Sequence, residues 1–80
     1  MASTSPGYSI TVRAQAPSAI GATADLAAAV MTAGGSLTAL DVVESGPDYI
    51  VVDVTCDAID AAHADEVTKS IEDLPGVTVR

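Results

Sequence analysis

Hydrophobic spacing along this chain switches between two residues and 3.6, the periods of a strand and a helix. The order of those switches leaves few folds open. "YSITVRA" at 8–14 alternates, with Tyr8, Ile10 and Val12 on one side and Ser9, Thr11 and Arg13 on the other, which predicts a half-buried strand. "PSAIG" at 17–21 breaks the pattern between Pro17 and Gly21. In "ATADLAAAVMTA" at 22–33, Leu26, Ala29, Val30 and Ala33 fall on one helical face, and Gly34-Gly35 ends the run. "SLTALDVVE" at 36–44 and "YIVVDVTC" at 49–56 alternate again around "SGPD" at 45–48, which predicts a hairpin. A second helical pattern spans 57–74, with Asp60 as N-cap, Asp65 and Glu66 in the early turns, and Ala64, Val67, Ile71 and Leu74 on one face. "PG" ends it, and "VTVR" at 77–80 opens a fourth strand.

The order β-α-β-β-α-β is the split βαβ pattern of a ferredoxin-like α+β fold. It predicts a four-stranded antiparallel sheet in spatial order 4-1-3-2, with two helices covering one face. The other face would carry Ser9, Thr11, Arg13, Leu37, Ala39, Asp41, Val43, Tyr49, Val51, Asp53, Thr55 and Thr78. Such a mixture of apolar and charged groups can stand in water or meet a partner.

Eighty residues allow one domain, here 8–80, preceded by a short disordered lead-in at 1–7. That lead-in has no basic start and no apolar stretch, so it is not read as a signal peptide. No apolar run approaches a membrane span. The single cysteine, Cys56, excludes an internal disulfide and fits a cytoplasmic protein. With 3 basic against 11 acidic residues, the net charge of −8 argues against nucleic acid and against anionic membrane surfaces. There is no Trp or Phe, so the core must be built from Val, Ile, Leu and Ala. A small core of small side chains is marginal, and a homo-oligomer is expected.

Residues able to do chemistry are scattered. His63 stands alone on the polar side of the second helix and reads as a surface histidine; Cys56 falls on the core side of its strand and reads as a small buried hydrophobe. Neither has companions at metal-ligand spacing. Asp41 and Asp53 share the outer sheet face across the hairpin and read as surface charge. No nucleophile elbow or phosphate-binding loop is present. An acylphosphatase-like hydrolase would need an asparagine, and the chain has none. Gly21 is the remaining candidate, with two readings: as an acceptable N-cap it simply lets the loop turn into the helix, or, with no side chain in the way, it lets a small ligand approach the helix's positive end.

The alternating strand, the loop glycine Gly21, the helix closing on Ala33-Gly34, the hairpin and the closing Leu74-Pro75-Gly76-Val77 together resemble the ACT domain over 8–80. The stretches "YSITVR", "GGSLTALDVVESG" and "HADEV" are similar, more narrowly, to the ACT segment that precedes the catalytic part of bacterial NAD-dependent malic enzymes (oxaloacetate-decarboxylating malate dehydrogenases). The resemblance implies a non-catalytic regulatory domain that forms a homodimer and binds an amino acid or other small metabolite allosterically. Its ligand-binding positions would be Ser18, Ile20, Gly21 and Ala22 in the first loop, and Gly35 and Ser36 at the start of the second strand. It implies no cofactor and no metal in this segment; NAD and a divalent metal belong to the catalytic part beyond Arg80. This chain departs from the family at Ser18-Ala19-Ile20, which lacks the usual acidic or amide residue and proline, and at Ser36, where an asparagine is common. Only neutral hydroxyls are then left to meet a ligand ammonium, and a pure dimerisation module without ligand is the alternative.

Overall fold

The computed structural model describes residues 8–80, so the expected lead-in at 1–7 lies outside the described residues. Six elements follow in the order β1 (Tyr8–Pro17), α1 (Ala22–Thr32), β2 (Ser36–Ser45), β3 (Tyr49–Ala58), α2 (Ala61–Glu72) and β4 (Thr78–Val79). The sheet is four-stranded, in order β2-β3-β1-β4, with all three pairings antiparallel. Counted from the β4 edge, the same row of neighbours is 4-1-3-2. The fold is α+β, with both helices contributing to one core.

Alternation decides which side of the sheet is buried. Val12, Ala14 and Ala16 of β1 lie opposite Val54, Val52 and Ile50 of β3, and all six are buried. Leu26, Ala29 and Val30 of α1, with Val67 and Ile71 of α2, close over them. With no large aromatic ring to fill space, backbones must come close. Gly35 shows how close: a Cβ there would stand 3.0 Å from Val30 Cγ1, 3.2 Å from Val67 Cγ2 and 3.3 Å from the Val30 carbonyl oxygen.

Both helix ends are punctuated as their residues allow. Gly34 takes φ +81°, and the N–H groups of Gly34 and Gly35 bond the carbonyls of Met31 and Val30 at 3.0 and 2.9 Å. That is a Schellman closure, which satisfies carbonyls the last turn would leave free. Asp60 caps α2, its Oδ1 accepting the His63 N–H at 2.8 Å. Gly21 is the N-cap of α1 and supplies no side-chain bond.

Several boundaries differ from those the pattern predicts. β1 runs three residues past 14 and ends on Pro17, because Ala14 and Ala16 are small enough to pack yet carry little hydrophobic signal. Asp57 and Ala58 belong to β3 rather than to the second helix; Ala58 continues the buried face of that strand. With α2 starting at Ala61, Asp65 lies past the first turn, which holds no acidic residue. β4 is two residues long. The larger correction concerns β2. Leu37 was expected on the outer face, but it lies opposite Cys56, on the helix side. An irregularity between Leu37 and Ala39 inserts Thr38 as an extra residue and shifts the alternation; its hydroxyl bonds the Thr55 carbonyl at 3.1 Å. A second irregularity between Val42 and Glu44 takes Val43 out of register.

Candidate functional site

The expected ligand-binding residues fall into two groups that one chain does not bring together. Ser18, Ile20, Gly21 and Ala22 lie where β1 passes into α1. The Ser18 N–H bonds the Asp48 carbonyl at 3.2 Å, which ties this loop to the β2–β3 turn and so to the end of β2. Gly35 and Ser36 lie at the start of β2, opposite Asp57 at the far end of the sheet. The 11 residues of α1, about 16 Å of helix, separate the two groups.

Of the first group only Ala22 lines the neighbouring hollow of about 210 Å³, together with Ala16, Pro17, Ala19, Leu74, Pro75, Val77 and one charged residue, Asp25; Ser18, Ile20 and Gly21 are not in its lining. Gly21 has φ −91° and ψ 4°, an ordinary conformation for any residue, and a Cβ there would meet only Asp25 Oδ2, at 3.9 Å. Neither backbone strain nor packing therefore requires glycine at 21. The missing side chain leaves room beside the uncapped N-terminus of α1, where orphan N–H groups favour an anion. Asp25 was not singled out from the sequence; the signal was its place four residues after Gly21, one turn into the helix. It supplies the anionic group that Ser18 and Ser36 do not. Ile20 is fully exposed at the loop tip, and Ala22 is buried.

The second group is shaped by packing. Gly35 is required by its closeness to Val30 and Val67, and Gly34 by its positive φ. Ser36 is exposed on an edge strand. That strand, β2, is exposed at every position except Leu40, and it presents Leu37, Val42 and Val43 to solvent.

His63 is not the plain surface residue its surroundings suggested. Its Nδ1 accepts the Ile59 N–H at 2.9 Å, so the ring proton sits on Nε2, which donates to the Ala33 carbonyl at 2.7 Å. The ring thus pins the end of α1 to the start of α2, and it is occupied in doing so. Cys56 is buried, and burial first, then the nearby Asp57 charge, pushes its thiol above the ordinary range. A raised thiol is a poor nucleophile.

On the outer face Asp41 and Asp53 do stand opposite one another. Arg13, however, forks onto Asp53 with Nε–Oδ1 at 2.7 Å and a second bond at 2.9 Å, and holds that carboxyl below its usual range. Thr11 and Thr55 share a hydroxyl bond at 3.0 Å, and the Tyr49 hydroxyl donates to Glu44 at 3.0 Å. Between these pairs Val51, opposite both Gln15 and Glu44, is only 2% exposed. Arg13, Asp53, Thr11, Thr55, Tyr49 and Glu44 thus satisfy one another in pairs across this face. Among the described residues no group of three or more His, Cys, Asp or Glu could hold a metal, and no helix is long and apolar enough to cross a membrane.

No family model matches the chain. One curated protein is 33% identical to it over 70 residues: the NAD-dependent malic enzyme of Geobacillus stearothermophilus, with 88% of this chain covered. The chain spans about 15% of the length of that relative. What this ferredoxin-like unit is similar to, therefore, is one segment of a malic enzyme.

Proposed function

We propose that this chain is a non-catalytic, ACT-like regulatory domain of an NAD-dependent malic enzyme, working as a homodimer that binds a small zwitterionic metabolite, such as an amino acid, between copies. The observation that carries this reading is the separation of the two residue groups. Two copies pairing β2 against β2 in antiparallel fashion would bring Gly35 and Ser36 of one to the end of β2 in the other, beside Ser18–Ala22. A long edge strand with exposed apolar side chains favours such pairing. The ligand carboxylate would face the uncapped start of α1, and Asp25 would take the ammonium. NAD and the divalent metal would act in the catalytic part of the enzyme and not here.

The test is an amide chemical-shift titration with amino acids and organic acids, run on the native chain and on Gly21→Ala. Open space and an ordinary φ at Gly21 predict a stability change within about 1 kcal/mol for the variant. Native protein should shift residues 17–24 and 34–38 together, and the variant should lose that response while staying folded. Unmoved amides at millimolar ligand in a dimer would leave the second reading, an assembly module without ligand, which the missing acid or amide at 18–20 favours. A monomer at all concentrations would sink both.

A further inference from the structure

The two irregularities of β2 decide which of its backbone groups are free to bond. Successive residues of an antiparallel strand turn their N–H and C=O to opposite neighbours. The Arg13 carbonyl accepts the Arg80 N–H at 2.8 Å, so Arg13 faces β4. Asp53, opposite Arg13, therefore faces β2, as do Val51, Thr55 and Asp57; Ile50, Val52, Val54 and Cys56 face β1. The bond from the Gly46 N–H to the Tyr49 carbonyl at 3.0 Å, and that from the Ser18 N–H to the Asp48 carbonyl, obey the same alternation. The β2 residues opposite the β1-facing set turn both their groups to the open edge, and these are Leu37, Leu40, Val42 and Ser45. An unbroken strand would free every second residue. Here the free residues stand three, two and three apart, because Thr38 and Val43 are each inserted. That spacing reads the same in both directions about Asp41. An antiparallel copy centred on Asp41 meets it group for group, whereas an unbulged strand falls out of step at each insertion.

We propose that β2 is a self-complementary edge whose partner is a second copy of this chain, paired antiparallel about a two-fold axis at Asp41. The proposal rests on the homodimer read above and adds its register. Leu40 exchanges both bonds with Val42 of the second copy, and Leu37 with Ser45. On the helix side this gathers Leu37, Leu40 and Val42 of both copies and covers apolar side chains that β2 otherwise exposes. Ser36 comes opposite Gly46 of the second copy, next to the turn whose Asp48 carbonyl holds Ser18. On the outer face Asp41 directly opposes its own copy, the two Cα atoms about 4.5 Å apart in a pair without mutual bonds. Arg13 is committed to Asp53 and leaves the Asp41 carboxylates to face each other. Like charges directly opposite oppose pairing. Asp41 is thus the residue that holds the affinity of the dimer down.

Cross-linking tests the register. Only a residue on the two-fold axis meets itself, so Asp41→Cys should form a disulfide-linked dimer under mild oxidation. Ala39→Cys would stand more than about 12 Å from its copy, beyond disulfide reach, and should link at least about tenfold more slowly. Asp41 and Ala39 are exposed, so both variants should fold, and the native Cys56 is buried. Asp41→Asn should tighten the dimer about two- to fivefold in sedimentation, and Asp65→Asn, an equal loss of charge on the exposed side of α2, should tighten it less. A dimer in which Ala39→Cys links as fast as Asp41→Cys, or in which the two asparagine variants behave alike, would overturn this register and leave the homodimer standing. A native chain that stays monomeric at every concentration would overturn both.

Discussion

At the scale of single residues, the two glycines of the candidate site are there for different reasons. Gly35 sits where two buried valines and a backbone carbonyl leave no room for a methyl group. Gly35→Ala should cost about 1–3 kcal/mol, as overpacking does, measured by chemical denaturation of native and variant proteins. The harmless Gly21→Ala, by contrast, should change ligand response alone. That contrast could not be read from the sequence, where both glycines simply flank an alanine-rich helix. Gly34 was legible, because a left-handed C-terminal glycine announces itself by position. The crowding at Gly35 depends on Val67, 32 positions away in the chain, and the role of Asp25 depends on how the 74–77 loop folds back over the start of α1.

At the scale of elements, strands and helices were legible wherever alternation or a helical face was strong. They were less so where small or polar residues carried the structure. Ala14 and Ala16 extend β1 without advertising it, and Thr38 and Val43 look like any strand residues although each breaks the register of β2. His63 illustrates the limit. It stands at the third position of α2, where nothing local marks it as more than exposed; its second partner, Ala33, ends the other helix. His63→Ala would leave the Ile59 N–H and the Ala33 carbonyl without their partner. The expected loss is about 1–3 kcal/mol, read from the denaturation midpoint. A change below about 0.5 kcal/mol would mean that water replaces the ring without penalty.

At the scale of the whole molecule, charge and shape pull in opposite directions. Each chain carries −8, so two copies repel one another, whereas the apolar side chains of β2 gain by being covered. Dimerisation should therefore strengthen several-fold when salt rises from about 0.05 to 0.5 M, as sedimentation across concentrations would record. Weakening with salt would instead point to ion pairs holding the copies together. The tyrosines give this arrangement an optical consequence. With no tryptophan in the segment, Tyr8 and Tyr49 are its only strong ultraviolet chromophores, and they sit at opposite ends of the sheet. Tyr49 is bonded to Glu44 on the β2 edge, and that bond, then the carboxylate's charge, raises the energy needed to ionise its phenol. Tyr8 begins β1, opposite Ala58 at the far end of β3. The β2 edge, for which a partner is proposed, thus carries a natural spectroscopic label, set apart from Tyr8 by its bond to Glu44 and needing no attached dye.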